Sequence, residues 1–183
     1  DFCLSRGLGD VYKRQAIVAM SWKIAPALLA GCPVVLKSAP EAPVAAYLLA
    51  EVAAEAGLPA GVLNIVTAER EVSEELVRHP GIDKVSFTGS TAAGKRIAAI
   101  CAERVARVNL ELGGKSAALV LDDYDIATAA ASLAESATEL TGQVCSALTR
   151  VIVSKHRHDE LVEALSAEFA RVRVGDPFDA GTD

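Results

Sequence analysis

The sequence predicts an α/β protein, in which a parallel sheet with helices on both faces is followed by the start of a second α/β domain. Three observations predict this fold. Short apolar stretches such as PVVLK alternate with longer stretches of helical periodicity. Gly or Pro residues separate many of these stretches and mark the turns between them. Repeated strand–helix–strand units of this kind join parallel strands.

The predicted strands and helices alternate from residue 16 onward. The strands are short apolar or β-branched runs. They cover residues 33–37, 62–66, 83–87, 105–110, 116–121 and 150–154. The helices have apolar residues at 3.6-residue spacing. They cover residues 17–30, 44–56, 71–78, 91–103, 126–140 and 159–172. Gly57 and Pro80 are typical end signals for two of them. The first four strands predict a Rossmann-like sheet.

The first fifteen residues, DFCLSRGLGDVYKRQ, differ from the rest of the chain. They lack an initiating Met, show neither helical nor strand periodicity, and resemble a translated linker. We therefore predict a non-native tail over residues 1–15 and exclude it from the fold. Residues 16–112 form the predicted first domain. Residues 113–183 form the amino-terminal part of a second, truncated domain.

Composition excludes several classes of partner. The chain is 51% hydrophobic and has a formal net charge of −6, which argues against binding to the nucleic-acid backbone. An apolar stretch over residues 16–36 is interrupted by Pro26, Gly31 and Pro33, so it does not predict a membrane span. We expect a soluble, cytoplasmic protein without nucleic-acid or membrane partners.

The cysteines and histidines do not predict a metal site. Cys3, Cys32, Cys101 and Cys145 show no paired spacing and no interleaved histidines. This pattern favours a reducing compartment. Cys32 and Cys101 lie in apolar runs, which indicates structural roles for both. His79, His156 and His158 lie beside a proline or among charged residues, and none is placed like a ligand.

One carboxylate and one thiol lie where regular structure is predicted to break. Glu111 closes a strand and is followed by Gly113 and Gly114, which permit a close backbone approach or a positive φ. Cys145 follows Thr141-Gly142-Gln143, so the thiol is expected on a turn with its backbone N–H exposed. The alternative is that Cys145 is a small buried side chain and Glu111 a surface charge.

The stretch FTGSTAAGK predicts a phosphate-binding turn. A strand that runs into Thr88-Gly89-Ser90 and then into a helix directs backbone N–H groups beyond the sheet edge, and Ser90 adds a hydroxyl. The alternative is an ordinary helix cap. Lys37 closes the PVVLK strand at the same expected edge, where doubly wound sheets bind nucleotides. Its alternative is a solvated strand-end lysine.

Together, ELGGKS and GQVC resemble motifs of the aldehyde dehydrogenase superfamily, and Cys145 follows Glu111 by 34 positions, the spacing of that family. The resemblance implies that Cys145 is the nucleophile, that Glu111 is the general base, and that Lys23, in SWKIAPAL, lies near the base. FTGSTAAGK is similar to the family's pyrophosphate-binding turn, with Gly89 and Ser90 as cofactor residues.

The resemblance further implies which residues bind the cofactor. Lys37 resembles the lysine that contacts the adenosine ribose, and Gly113 is assigned to the same cofactor site. Many members have an acidic residue three positions after that lysine, where this chain has Pro40 followed by Glu41. An acid there repels a 2′-phosphate, so its absence leaves NAD and NADP open; we predict NAD.

The implied reaction oxidises an aldehyde to a carboxylic acid. Cys145 forms a thiohemiacetal and then a thioester, and Glu111, partly buried, activates the hydrolytic water. Members that transfer the acyl group to coenzyme A lack this glutamate, so a free acid is the expected product. The alternatives are a noncatalytic nucleotide-binding module, a truncated inactive homologue and, third, a thiol esterase.

The resemblance covers residues 16–183 and predicts a fragment of a homo-oligomeric enzyme. The family's side-chain oxyanion donor, an Asn, lies eight residues before the Trp-Lys pair. Counting back from Trp22 places Arg14, in the foreign-looking tail, at that position. We therefore expect residues 16–112 to be part of an NAD(P)-binding domain and the isolated chain to turn over little or not at all.

Overall fold

The computed structural model describes residues 2–6, 16–176 and 178–183. It divides into two compact units, Asp1–Gly113 and Gly114–Asp183. This division falls at the predicted domain boundary. Within the described residues, no helix combines the length and apolarity needed to cross a bilayer.

The first unit alternates strands and helices along a five-stranded sheet. Its strands are β1 (Phe2–Arg6), β2 (Val34–Ser38), β3 (Leu63–Thr67), β4 (Lys84–Gly89) and β5 (Arg107–Leu112). Its helices are α1 (Ala16–Leu29), α2 (Val44–Glu55), α3 (Arg70–Arg78) and α4 (Thr91–Glu103). The sheet order is β3-β2-β1-β4-β5, and every pairing is parallel. The predicted doubly wound α/β fold is confirmed.

Side chains of alternate β2 residues enter two different cores, because successive residues of a strand point to opposite faces. Val34 and Leu36 pack with Met20 and Ile24 of α1 and with Ala46 of α2. On the other face, Val35 packs against the core formed by α3, α4 and β4, whose largest fully buried apolar residue is Phe87. Helices therefore cover both faces of the sheet, as the near-continuous apolar run of β2 requires.

The exclusion of residues 1–15 from the fold is wrong for one segment. β1 lies at the centre of the sheet, and its backbone pairs with β2 on one side and β4 on the other. A central strand is held by backbone hydrogen bonds to two neighbours, which side-chain periodicity over five residues cannot reveal. The non-native origin of residues 1–15 stays a prediction.

Two other predicted element boundaries differ from those in the structure. Val105 was assigned to a strand, but it has a φ of 56°, is 91% exposed, and lies in the turn before β5. The predicted helix over residues 126–140 ends at Thr138, because Glu139 has non-helical backbone angles and Leu140 is left-handed. Left-handed angles in non-glycine residues are rare, and sequence periodicity does not signal them.

The described part of the second unit contains a two-stranded parallel sheet, two α-helices and two short 3-10 helices, Glu139–Gly142 and Lys155–Arg157. The strands are β6 (Ala117–Val120) and β7 (Arg150–Val153), and the helices are α5 (Ile126–Thr138) and α6 (His158–Arg171). Its core consists of apolar side chains from both strands and both α-helices. They are Val120, Ile126, Ala130, Leu133, Val151, Val153 and Leu161. The opposite face of this sheet exposes Leu119 and Ile152.

An ion cluster joins α3 to α4 on the surface of the first unit. Glu74 Oε1 accepts hydrogen bonds from Arg96 Nη2 at 2.8 Å and from Arg78 Nη2 at 2.9 Å. The hydrogen bonds from Arg96 and, second, Arg78 lower the pKa of Glu74 from 4.5 to about 2. Because the folded state lowers this pKa, the cluster stabilises the fold above pH 4.5. The stabilisation is lost as pH falls toward 2.

We predict that Glu74→Gln lowers the urea midpoint of unfolding at pH 7, because the charged acceptor between the two helices is lost. The difference from wild type should shrink as pH falls from 4.5 toward 2, where the wild-type carboxylate becomes protonated. Urea unfolding followed by circular dichroism at several pH values measures this effect. Glu75→Gln, which changes a neighbouring exposed acid, is the matched control. Equal midpoints for Glu74→Gln and wild type at pH 7 would contradict the prediction.

Candidate active site

Most of the predicted site residues lie at one edge of the five-stranded sheet. Because all five strands are parallel, their carboxyl ends meet at the same edge. Lys37 is the penultimate residue of β2, Gly89 ends β4, and Glu111 is the penultimate residue of β5. Strand order reverses at β1, so this edge includes the switch point at which doubly wound sheets bind ligands.

Lys37 is buried, which excludes the alternative of a solvated strand-end lysine. Its side chain is 1% exposed, and Nζ donates a hydrogen bond to the carbonyl oxygen of Ala68 at 3.3 Å. Ser73 Oγ donates to the same carbonyl at 3.3 Å. This shared acceptor fixes the ammonium between β2 and the start of α3. A buried ammonium needs such partners, since burial of an unpaired charge is costly.

Ser90 caps α4 and keeps a hydroxyl proton available. Its Oγ accepts a hydrogen bond from the backbone N–H of Ala93 at 3.2 Å, which is the geometry of a helix N-cap. The hydroxyl donates to none of the described residues, so its hydrogen can be offered to a ligand. Gly89, directly before the cap, is buried and pairs with Leu112. The cap interpretation is therefore confirmed, and it is compatible with phosphate binding at this helix end.

Gly94 brings α4 close to β5, a contact that the sequence analysis did not identify. A Cβ at this position would lie 2.7 Å from Leu112 Cδ2, closer than side-chain atoms tolerate. The helix that begins at Ser90 therefore lies against the strand that contains Glu111. A glycine four residues after the cap in FTGSTAAGK was the available signal, because glycine inside a helix often marks close packing.

An open groove of about 890 Å³ lies on the α1 face of β4 and β5. Lys23 and Trp22 line it from α1, and Ser86, Asn109 and Glu111 line it from the sheet. Its volume is within the range of small-molecule sites. The structure therefore brings Lys23 and Glu111, both predicted site residues, to one groove.

Thr88 is a site residue whose side-chain contact the sequence did not predict. Lys23 Nζ donates a hydrogen bond to Thr88 Oγ1 at 2.6 Å. Thr88 pairs directly with Glu111 across β4 and β5, so both side chains point to the same face of the sheet. The available signal was its position in FTGST, but only the strand register reveals that it neighbours Glu111.

The expected partial burial of Glu111 is wrong, whereas the expected room for a close backbone approach beside it is present at Gly114. The Glu111 side chain is exposed, and it accepts a weak hydrogen bond from Asn109 Nδ2 at 3.5 Å. The open groove beside β5 leaves the carboxylate facing solvent. Neither Gly113 nor Gly114 has a positive φ. The space where a Gly114 Cβ would lie is empty, so the glycine pair leaves room for a close approach.

Cys145 belongs to the second unit and lies on a turn, as predicted. It is a free, exposed cysteine, in contrast to buried Cys101. Burial raises the pKa of the Cys101 thiol, so that cysteine is suited to a structural role. The alternative that Cys145 is a buried side chain is therefore wrong.

The backbone before Cys145 is strained. Leu140, Thr141 and Gly142 have φ values of 48°, 59° and 69°, so three successive residues are left-handed. Left-handed non-glycine residues cost free energy and cluster at functional sites. Within the described part of the chain, the Cys145 N–H donates no hydrogen bond. An exposed thiol beside a free backbone donor can form an adduct and stabilise an oxyanion.

The described residues contain no group of three or more His, Cys, Asp or Glu side chains that could hold a metal ion. The sheet edge of the first unit has a carboxylate, ammonium groups and hydroxyls, and the Cys145 turn of the second unit has an exposed thiol. These are the components of nucleophilic and general-base chemistry.

Residues 15–183 match the model of the aldehyde dehydrogenase family. The chain belongs to this family. The resemblance that the ELGGKS and GQVC motifs indicated is thus confirmed over nearly the whole length of the chain.

Curated aldehyde dehydrogenases are similar in sequence but much longer. The geranial dehydrogenase of Castellaniella defragrans is 49% identical over 166 residues, which cover 90% of this chain and 35% of the relative. A betaine aldehyde dehydrogenase of Rhizobium leguminosarum is 42% identical over 161 residues, which cover 88% of this chain and 33% of the relative. This aldehyde dehydrogenase chain spans about a third of the length of these relatives.

Solved structures of aldehyde dehydrogenases are similar to this chain. Mycobacterium tuberculosis aldehyde dehydrogenase complexed with NAD+ is 40% identical with a TM-score of 0.85, and the match covers 99% of this chain and 37% of that one. A 3,6-anhydro-L-galactose dehydrogenase in complex with NAP is 37% identical with a TM-score of 0.87. The match covers 100% of this chain and 38% of that one. A third match, AldC from Pseudomonas syringae, has one cysteine mutated to alanine and is complexed with NAD+ and octanal. It is 37% identical with a TM-score of 0.87, and the match covers 99% of this chain and 37% of that one.

We predict that two substitutions of Ser90 separate capping from ligand binding. Ser90→Ala removes the cap and should lower the unfolding free energy by about 1 kcal/mol, whereas Ser90→Gly should cost only a few tenths, because glycine is tolerated at N-caps. Both remove the hydroxyl and should weaken dinucleotide binding similarly. Urea unfolding and calorimetric titration with NAD+ measure the two effects. Unchanged NAD+ affinity in Ser90→Gly would limit Ser90 to a capping role.

Proposed function

We propose that this chain is part of an NAD(P)-dependent aldehyde dehydrogenase that converts an aldehyde to a carboxylic acid. The observation on which the proposal depends is the exposed thiol of Cys145, placed on a strained turn where its backbone N–H donates to none of the described residues. Family membership supports the reaction class. The solved relative with octanal supports a role for a cysteine, because that complex has a cysteine replaced by alanine.

Cys145 performs the first covalent step in this proposal. Its thiolate attacks the aldehyde carbonyl carbon, so that a C–S bond forms and the carbonyl electron pair moves to oxygen. The Cys145 backbone N–H donates a hydrogen bond to this oxyanion. A bound nicotinamide supplies the hydride acceptor that oxidises the thiohemiacetal to a thioester.

Glu111 performs the hydrolytic step. Its carboxylate takes a proton from a water molecule, whose oxygen attacks the thioester carbonyl carbon. The C–S bond then breaks, the Cys145 thiolate is regenerated and the carboxylic acid leaves. The position of Glu111 in an open groove supports this role, because water reaches the carboxylate directly.

The residues at the sheet edge fit a dinucleotide. Ser90 provides a free hydroxyl hydrogen at the amino-terminal end of α4, which suits a pyrophosphate. Buried Lys37 provides a fixed ammonium at the end of β2, which suits the adenosine ribose. Pro40 provides no carboxylate to exclude a 2′-phosphate, so both NAD and NADP fit, and the solved relatives include complexes with NAD+ and with NAP. We propose NAD, with NADP as the alternative.

We predict that Glu111→Gln, in the full-length protein that contains this chain, produces one burst of NADH per active site and then stalls. The amide cannot accept the proton from water, so steady-state turnover should fall by about 10²- to 10⁴-fold. Stopped-flow absorbance at 340 nm measures both phases. Glu103→Gln, at the exposed end of α4, should turn over like wild type. Undiminished steady-state turnover in Glu111→Gln would overturn the assignment.

We also predict that the 183-residue chain alone produces little or no NADH from aldehydes. It spans about a third of the length of the relatives. Arg14 stands at the position where the family has its side-chain oxyanion donor, an Asn. Absorbance at 340 nm with NAD+ and octanal tests this expectation. Turnover by the purified chain comparable to that of the full-length protein would contradict it.

A further inference from the structure

Ser73, near the start of α3, is a buried polar residue whose hydroxyl contacts the connection between β3 and α3. Ser73 is 2% exposed. Its Oγ lies 2.6 Å from the carbonyl oxygen of Glu69 and 3.3 Å from that of Ala68. These two residues form the whole connection, since β3 ends at Thr67 and α3 begins at Arg70. One hydroxyl hydrogen is therefore shared between two successive carbonyl groups of this turn.

The turn before α3 depends on Ser73 because its N-cap residue does not cap the helix. Glu69 is that residue, and its side chain makes no capping hydrogen bond. Side-chain oxygens at the N-cap position commonly fix the entry of the chain into a helix. Here the backbone N–H of Ser73 donates to the Glu69 carbonyl at 3.0 Å, and the Ser73 hydroxyl adds the contacts with both carbonyls of the turn.

The Ala68 carbonyl connects Ser73 to Lys37. Its oxygen accepts from Lys37 Nζ and from Ser73 Oγ, each at 3.3 Å, and a carbonyl oxygen has two lone pairs for two such donors. A lysine side chain is long and flexible, so the direction of its ammonium depends on the acceptors that surround it. The orientation of the Ala68 carbonyl thus contributes to the position of the buried Lys37 ammonium.

We propose that Ser73 is a positioning residue for the dinucleotide, which it affects through the Ala68 carbonyl and Lys37. Ser73 keeps this carbonyl directed toward β2, and the carbonyl keeps the ammonium where it donates to a ribose hydroxyl. Ser73 itself does not touch the cofactor. An ammonium that is held in place before binding loses less freedom on binding, so the affinity is higher. This inference rests on the proposed role of Lys37 in dinucleotide binding.

Three substitutions isolate the hydroxyl of Ser73. Ser73→Ala removes it, whereas Ser73→Thr retains it and adds a methyl group. A small cavity of about 40 Å³ beside Ser73, between α3 and α4, provides room for that methyl. Ser166→Ala is the matched control. Ser166 Oγ also donates to the carbonyl four residues earlier, that of Val162 at 2.7 Å, but it lies on α6 in the second unit.

The test is calorimetric titration of the full-length protein with NAD+, together with steady-state kinetics and urea unfolding. Ser73→Ala should raise the Kd and the KM of NAD+ by about 3- to 10-fold, the factor that one net hydrogen bond contributes. At saturating NAD+ its kcat should equal that of wild type, because the ribose contact is the same in the ground and transition states. Ser73→Thr and Ser166→Ala should bind NAD+ like wild type. A lower urea midpoint of Ser73→Ala with an unchanged Kd would overturn the proposal, because it would limit Ser73 to stabilising α3.

A double mutant shows whether Ser73 acts through Lys37. Lys37→Met should weaken NAD+ binding by itself, and adding Ser73→Ala should raise the Kd little further, because both substitutions affect one contact. Multiplying effects would overturn the proposal. If Lys37→Met binds NAD+ as tightly as wild type, the proposed cofactor role of Lys37 fails, and this inference fails with it. If Lys37→Met weakens binding but Ser73→Ala does not, the failure concerns this inference alone.

Discussion

The parallel pairing of β4 with β5 is the constraint on which the site in the first unit depends. Six consecutive residue pairs hold these strands in one register, and that register places Thr88 opposite Glu111. A shift by one residue would turn every side chain of one strand to the opposite face. Thr88 and Glu111 would then lie on opposite faces of the sheet. Backbone hydrogen bonding thus controls the arrangement of two side chains that are remote in sequence.

Burial of the face that packs against α3 and α4 stabilises that register. Val85 and Phe87 of β4 are fully buried against α3 and α4, so a slip would expose them and bury polar neighbours. Gly94 allows α4 to approach Leu112 closely, which brings the Ser90 cap to the edge that contains Glu111. The apolar core and the polar site are therefore consequences of the same alternation along β4 and β5.

The turn before Cys145 depends on a different physical effect. Three successive left-handed residues end α5 early and expose the thiol, although only one of the three is glycine. Leu140 and Thr141 adopt this conformation at a free-energy cost that packing elsewhere must offset. In return, the backbone N–H of Cys145 is left free of partners among the described residues. We interpret this strain as the means by which the nucleophile and its oxyanion donor are presented together.

The sequence by itself determined the alternation of strands and helices and the family, because periodicity and motif spacing are local properties. It also placed Ser90 at a helix start and Cys145 on a turn. Tertiary structure alone decided that β1 is a central strand, that Lys37 is buried, that Glu111 is exposed and that Thr88 holds Lys23. These features follow from contacts between residues distant in sequence, such as the 65 positions that separate Lys23 from Thr88. No local pattern encodes such contacts, because they arise only when strands pair and helices pack.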